Sequence, residues 1–571
     1  MTPRQGPRLR PSELSLVSQR LGPLPVINHF LRRLRLDEHV DRFVPTPDRR
    51  TKVPYAQGLG VLLRSILVER EAIYRQHETV ATYAPEAFGL DSRRVTHLGD
   101  DALGRALDHL FDADRGSLLT AVVVAAGEAF DLCFDELHND STTIRFSGQY
   151  RDSGQPVRGQ RSPWITFGYS KDHRPDLKQL LFVLTTTRDG AVPAQFRCED
   201  GNTSDSRTHE ATWDALRRVT GRADFLYVAD SKLCGADAMS HIDHHGGRFV
   251  TVLPRSRRED AHFREWLQTH EPDWELVWDR PHPRRKGGPQ DRWWTYRDPL
   301  PSREAWPVTW VYSNLLELHQ GQRRRERIAR ARQELEALDH QLAGPRPRLR
   351  SKARIRERVD EILERSKVAR YLRVEIRSVA RHEYRQVGPG RPGPATQYRR
   401  KTTRRWRLEI SLDAERIAYD RKSDGMYPLL TNDPSLSPRE VLEAHKRQPA
   451  IEKRFEQTKT VFEIAPVLLK NPGRVEAFFF VYFLALLVQA LLERELRRAM
   501  QAQAISSLPL YPEERRTRRP TAEQILRLFS RLDRHDLVAG SELVRSFEPD
   551  LTPLQQQVLQ LLGVPESAYK T

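Results

Sequence analysis

From Ala477 to Leu492 the chain is an almost unbroken apolar run, including Phe478-Phe479-Phe480-Val481-Tyr482-Phe483-Leu484-Ala485-Leu486-Leu487-Val488. Such a segment has to be surrounded by apolar matter, either lipid or a large protein core. It is shorter than the ~20 residues a bilayer span requires. It contains Gln489 and leads directly into a Glu/Arg-rich stretch. The expectation is a helix buried on several sides in a substantial core, with no membrane partner.

The 571 residues allow several domains, and 38% hydrophobic with 30% charged residues suits a globular chain with long polar segments. The formal charge of +17 points to a polyanion, most often nucleic acid, unless an Arg-rich proteome makes the chain basic. Cys133, Cys198 and Cys234 form no CxxC pair and no disulfide framework, so a reducing cytoplasm is expected. His241, His244 and His245 lie near Cys234 without zinc-finger spacing. Met1 to Arg20 has no apolar stretch of the signal-peptide kind.

The texture of the chain divides it. Residues 1–20 read as a basic flexible arm. Residues 21–128 read as a helical domain for DNA-end binding or dimerisation, because Ile27, Phe30, Leu31 and Leu34, then Leu59, Leu62, Leu63 and Ile66, recur at helix spacing. Asp100 is a candidate N-cap for a helix carrying Leu103, Ala106, Leu107 and Leu110. Residues 129–254 turn to strands: Asp131–Leu137, Thr142–Phe146, Trp164–Tyr169, Leu180–Thr187 and Val192–Phe196, an antiparallel meander. A helix at Ser206–Val219 and strands at Asp224–Ala229 and Arg248–Leu253 follow. That order is an α/β arrangement of the RNase H type.

Residues 255–425 read as an insertion. It holds a helical hairpin over 317–379, with seam residues Ile328, Ala331, Leu335, Leu338 and Leu342 answered by Ile355, Val359 and Ile362. It also holds the basic stretches Arg284–Lys286 and Arg399–Arg405, and Trp293, Trp294 and Trp406, which either pack or stack on bases. Residues 426–510 return to the core. Ser437-Pro438-Arg439-Glu440 forms a capping box ahead of the helix that carries Glu452. Residues 511–571 read as a helical tail.

Three acids from distant positions could cooperate. Asp140 and Asp230 both fall where strands are expected to end, and Glu452 lies on a helix with Lys459 seven residues on, two α-helical turns along the same face. Phosphodiester cleavage needs an activated water, an in-line geometry and charge neutralisation, which two Mg²⁺ ions held by carboxylates supply. Each acid alone has a plainer reading. Asp140 reads equally as a turn cap with Ser141 and Thr142, Asp230 as an ordinary strand-end acid, and Glu452 as the partner of Lys453 or Arg454. Asp135 and Glu136 compete with Asp140.

At these residues the sequence resembles the DDE transposases of bacterial insertion sequences, in the insertion-sequence-four-like group whose third acid lies in a Tyr-x2-Arg-x3-Glu-x6-Lys signature. Glu452 and Lys459 match its last two positions. His445 stands at the Tyr position and Gln448 at the Arg position, with Arg447 next door. His138-Asn139-Asp140-Ser141-Thr142, Gly168-Tyr169-Ser170-Lys171-Asp172-His173-Arg174, Gly201-Asn202-Thr203-Ser204-Asp205 and the segment at Asp230 also resemble that family, over roughly residues 21–565.

The resemblance implies an RNase H-like core interrupted between the second and third acids. It implies catalysis and metal binding by Asp140, Asp230 and Glu452 with two Mg²⁺ ions, for which Mn²⁺ can substitute. Phosphate or DNA contacts fall to Lys459, His445, Gln448, Arg447, Lys171 and Arg174. The expected partners are terminal inverted repeats and target DNA, bound by a homodimer in the bacterial cytoplasm at the nucleoid. Two rivals stay open: an RNase H-like nuclease that never joins strands, and a catalytically impaired relic that only binds DNA.

Overall fold

A computed structural model describes residues 14–282, 287–344, 347–461, 469–540 and 542–570. The fold is mixed α/β and divides into two compact units. One is formed by the chain up to Thr251 and from Glu443 onward, the other by Val252–Leu442. The basic stretch Arg284–Lys286 lies outside the described residues.

The first unit opens with a strand, Leu14–Arg20, where a flexible arm was expected. It pairs antiparallel with Asp533–Ala539, which in turn pairs with Glu542–Phe547. The C-terminal tail is therefore not wholly helical, although helices Ala522–Phe529 and Pro553–Leu562 flank the hairpin. Between these ends lie helices Leu24–Arg33, Tyr55–Val68, Asp100–Asp112 and Arg115–Phe130. Phe30, Leu31, Leu59, Leu62, Leu103 and Leu107 are buried on their inner faces. The N-cap of the third is Gly99, and Asp100 instead places a carboxylate in the first turn, where the helix dipole favours it.

The sheet of this unit runs in the order Pro193–Glu199, Lys178–Thr187, Glu136–Phe146, Leu226–Val228, Arg248–Val252. The first three strands are antiparallel, and the last three are parallel. Two differences from the sequence expectation matter. Asp140 lies inside one long strand, Glu136–Phe146, and not past a strand end. Trp164–Tyr169 forms no strand beyond a single bridge between Thr166 and Gln179.

The apolar run belongs to a helix of 31 residues, Pro472–Ala502. Among the described residues it is the one helix long and apolar enough to cross a membrane, so the length of the run does not exclude a span. Its surroundings are those of a core helix: 89% of its most apolar window is covered by protein. Phe479 meets Phe146 and Phe182, and Phe480 and Phe483 meet Phe196, so the helix lies on one face of the sheet.

Glu493 is buried within this helix. It accepts from Arg454 Nη1 (3.1 Å), Gln457 Nε2 (3.1 Å) and the Ala522 amide (3.1 Å). Arg454, also buried, donates to the carbonyls of Gly190 (2.6 Å) and Ala191 (2.9 Å) in the turn between two sheet strands. Helix Pro449–Glu456, which carries Glu452, is thereby tied to both the apolar helix and the sheet.

In the second unit the strands Met426–Thr431, Val308–Ser313, Asp291–Arg297 and Glu275–Arg280 pair successively antiparallel. Phe263 stacks on Trp310 at 3.7 Å. Helices Asn314–Ala343 and Lys352–Arg365 follow, so the helical hairpin ends at Arg365 and not near 379. Its seam residues Ala331, Leu335, Leu338, Ile355, Val359 and Ile362 are buried together with Leu372, Val374, Ile376 and Leu408 from a two-stranded ribbon, Leu372–Gln386 with Tyr398–Leu412. The seam closes on the ribbon's base as well as on itself. The Ser437–Glu440 capping box forms, with the Glu440 amide donating to Ser437 Oγ and the Ser437 amide to Glu440 Oε2.

Glu493→Ala would leave Arg454 as a buried cation without its carboxylate, which costs about 3–5 kcal/mol. The expected result is a large fall in the urea midpoint of the first unit, followed by circular dichroism. A midpoint like that of the wild type would show that the pair does not anchor this helix.

Candidate active site

Side chains alternate along a strand, so Glu136, His138, Asp140 and Phe146 share one face. Phe146 meets Phe479, which makes this the face covered by the apolar helix. His138 is opposite Val228, the last pair of the parallel ladder; Asp140 lies two residues further within its strand and Asp230 two residues past the end of its own. The two carboxylates are near enough for the charge of Asp230 to act on Asp140. Asp140 Oδ1 accepts from the Ser141 amide (2.7 Å), and Asp230 Oδ1 accepts from the Lys232 amide (2.9 Å), capping a short 3₁₀ turn.

A third carboxylate enters from the Gly201–Asp205 segment. Lys171 Nζ bonds Ser141 O (2.7 Å), Ser141 Oγ (2.8 Å) and Asp205 Oδ2 (2.9 Å). Two glycines bring these segments together. A Cβ on Gly168 would lie 2.0 Å from the Gly201 carbonyl oxygen, and one on Gly201 would lie 2.0 Å from that of Gln179. Only glycine permits so close a backbone approach.

Burial, and then the charges of Asp230 and Asp205, push Asp140 up to about 6, against the pull of Lys171 and the Ser141 amide. Burial likewise raises Asp230, with Asp205 adding to it and the Lys232 amide and Lys171 opposing. Two half-buried carboxylates that hold their protons too tightly lack positive charge, and their oxygen donors suit a hard divalent cation. To that extent the residues present fit Mg²⁺.

The third expected ligand is not gathered in. Among the described residues no three His, Cys, Asp or Glu side chains converge as a metal site. Glu452 is exposed on a helix anchored to the sheet face on which Asp140 lies.

The other expected contacts have found partners within the protein. Arg447 makes a two-pronged bond to Glu136 (2.6 and 2.7 Å), so it is not open to a phosphate. Glu136, pushed up by burial but held by His138 and Arg447, falls to about 2. Gln448 Nε2 reaches the Asn139 carbonyl at 3.5 Å. Burial, with Lys446 and His138 nearby, lowers His445 to about 3, which keeps the imidazole neutral.

Lys459 Nζ bonds Asp172 (2.8 Å). The backbone from Gln457 to Val461 is a π-helical turn, whose larger number of residues per turn breaks the regular α-helical spacing expected between Glu452 and Lys459. Arg174 is paired with Asp176 on the surface (2.7 Å), outside the Lys171 cluster. Asp135 pairs with Arg222 on the surface, and Glu136 is committed to Arg447, which removes both as rivals of Asp140.

In the second unit, Trp294 stacks on Tyr312 at 4.9 Å, Trp293 donates to Asp291 (2.7 Å) and Trp406 donates to the Arg350 carbonyl (2.9 Å). Arg399–Arg405 lies on the ribbon. Arg385 and Arg399 are direct cross-strand neighbours there, as are Tyr384 and Arg400.

Comparison with known proteins bears on a different part of the chain. A domain of unknown function (DUF4277), found in transposase-like proteins, matches residues 16–124. No match is found among curated proteins.

An aspartate whose folded value lies above its unfolded one costs stability once ionised. The cost is absent below about pH 4, grows as pH rises through 6, and is complete above it. Asp140→Asn removes it. The variant should therefore unfold at higher urea than the wild type at pH 8, by about 2–3 kcal/mol, and the gap should close toward pH 4. A gap independent of pH would show that Asp140 is not perturbed.

Proposed function

We propose that the chain is a DDE transposase, which cleaves DNA at the ends of an insertion sequence and joins them to target DNA. The observation that carries this reading is the pair Asp140, within its strand, and Asp230, just past the end of the adjacent one, both pressed toward the protonated form by burial and by neighbouring carboxylates. The strand order of the first unit supports an RNase H-like core: three antiparallel strands, then two parallel to the first, with the second unit's chain entering between Asp230 and Glu452. The transposase-like domain over residues 16–124 supports it independently.

In this reading Asp140 and Asp230 would hold the divalent ions, with Glu452, on the helix tied to the same sheet, as the third ligand. The bound ions supply charge neutralisation and water activation. Lys171 orients Ser141, and with it Asp140, while its own charge restrains the carboxylate cluster. Lys459 becomes a phosphate contact by exchanging Asp172 for the DNA backbone. His445, kept neutral, donates a hydrogen bond without adding charge. Gln448 binds the strand backbone and so takes no part in holding phosphate. The arginines of the ribbon add salt-sensitive, sequence-independent affinity, and paired ends are held by a dimer.

Cleavage of a duplex carrying the element's terminal repeat should need Mg²⁺ or Mn²⁺ and stop in EDTA. Asp140→Asn, Asp230→Asn and Glu452→Gln should each lose on the order of 10³-fold in rate, about 4 kcal/mol of transition-state stabilisation. Joined products with target DNA separate a transposase from a nuclease, and binding without metal-dependent cutting would leave a relic. Cutting that survives Glu452→Gln would remove Glu452 from the site.

A further inference from the structure

Trp164, Phe167 and Tyr169 are exposed by 45, 55 and 86% on one short segment. Three large aromatic rings left in water within six residues of chain mark a contact surface, since burial is what such rings gain most from. The segment beneath them is pinned. Thr166 and Gln179 exchange backbone hydrogen bonds (2.9 and 3.3 Å), and Gln179 Nε2 donates to the carbonyls of Tyr169 (3.1 Å) and Gly201 (2.7 Å). The Trp164 amide donates to Asp200 Oδ1 (2.8 Å). Gly168 sits against the Gly201 carbonyl with no room for a side chain. The rings thus stand on a backbone that is fixed before anything binds.

Their place in the fold gives the occupant. Two residues past Tyr169, Lys171 reaches the neighbour of Asp140. Tyr169 and Phe167 are two and four residues from Lys171, at most ~14 Å of chain at ~3.5 Å per residue. The tryptophans expected from the sequence to stack on bases are engaged within the second unit, which leaves this segment as an unoccupied aromatic surface beside the acids.

We propose that Trp164, Phe167 and Tyr169 form a stacking platform for unpaired bases of single-stranded DNA next to the cleavage point. Every base offers a π-face, so the platform accepts any sequence and holds the strand while its phosphate lies at Asp140 and Asp230. The proposal rests on the DNA-cleaving reading of those two acids.

The test uses full-length Asp140→Asn protein in EDTA, which cannot cut, and a duplex with a short single-stranded extension carrying 2-aminopurine. Stacking quenches the probe. Quenching is expected with Asp140→Asn alone and with Tyr169→Phe added. Trp164→Ala and Tyr169→Ala added together should abolish it and weaken binding to the extension about tenfold, with affinity for blunt duplex unchanged. Because Tyr169 is so exposed, Tyr169→Ala alone tests the platform without threatening the fold.

Undiminished quenching and affinity in the alanine variants would overturn the proposal. So would a loss of self-association without DNA, measured by light scattering, since the patch would then be an interface between copies. Cutting by the metal-loaded parent protein without quenching overturns the platform and spares the cleavage reading. Quenching without cutting supports the platform and overturns the cleavage reading.

Discussion

A carboxylate buried in an apolar helix holds this molecule's first unit in register. Glu493 lies where the long helix is packed on all sides, and a lone charge there would be prohibitively costly. It is tolerable because Arg454, Gln457 and the Ala522 amide converge on it. Arg454 also donates to Gln457 Oε1 and to the carbonyls of Gly190 and Ala191. One buried ion pair therefore joins the apolar helix, the glutamate-bearing helix and the sheet, and it does so with directional bonds that apolar contact lacks. Such a pair adds little net stability compared with a hydrophobic replacement, but it specifies a single arrangement. The position of Glu452 relative to the carboxylate strand follows from it.

What was legible in the sequence was local. Apolar spacing at Leu59, Leu62, Leu103 and Leu107 reports buried helix faces, and the Ser437–Glu440 box caps a helix because both partners lie within four residues. The position of Asp140 was misread because strand ends leave no mark when the next residues, Thr142, Ile144 and Phe146, continue the alternation. Leu14–Arg20 looked like a loose arm because its partner, Asp533–Ala539, lies at the far end of the chain. The bond from Arg447 to Glu136 has the same character: no spacing rule connects residues so distant. The π-turn at Gln457–Val461 has no compositional signature, so a seven-residue interval reads in the sequence as two regular turns.

The candidate site itself was legible as a pair of acids and a set of short motifs. Sequence spacing gave no hint that Gly168 and Gly201 touch, because the contact is between backbones. That contact explains both motifs at once, since it brings the Lys171 and Asp205 segments together beside Asp140. Asp205, which belongs to the Gly201–Asp205 motif, joins the two acids as a third carboxylate. Its signal was a short polar segment with an obligatory glycine just before a buried helix.

Lys171 and Lys459 each lie against a carboxylate of their own chain, Asp205 and Asp172. A phosphate that uses either lysine has to displace an anion already in place, so engagement there is an exchange of one anion for another. The charge gained by the DNA is nearly matched by the charge released from the aspartate. Such contacts contribute geometry, while long-range attraction and most of its dependence on ionic strength fall to cations with no internal partner. In the proposed reading capture and positioning are thus separate: surface arginines would gather the polyanion, and the lysines beside the acids would act only once a phosphate fits well enough to replace the aspartate.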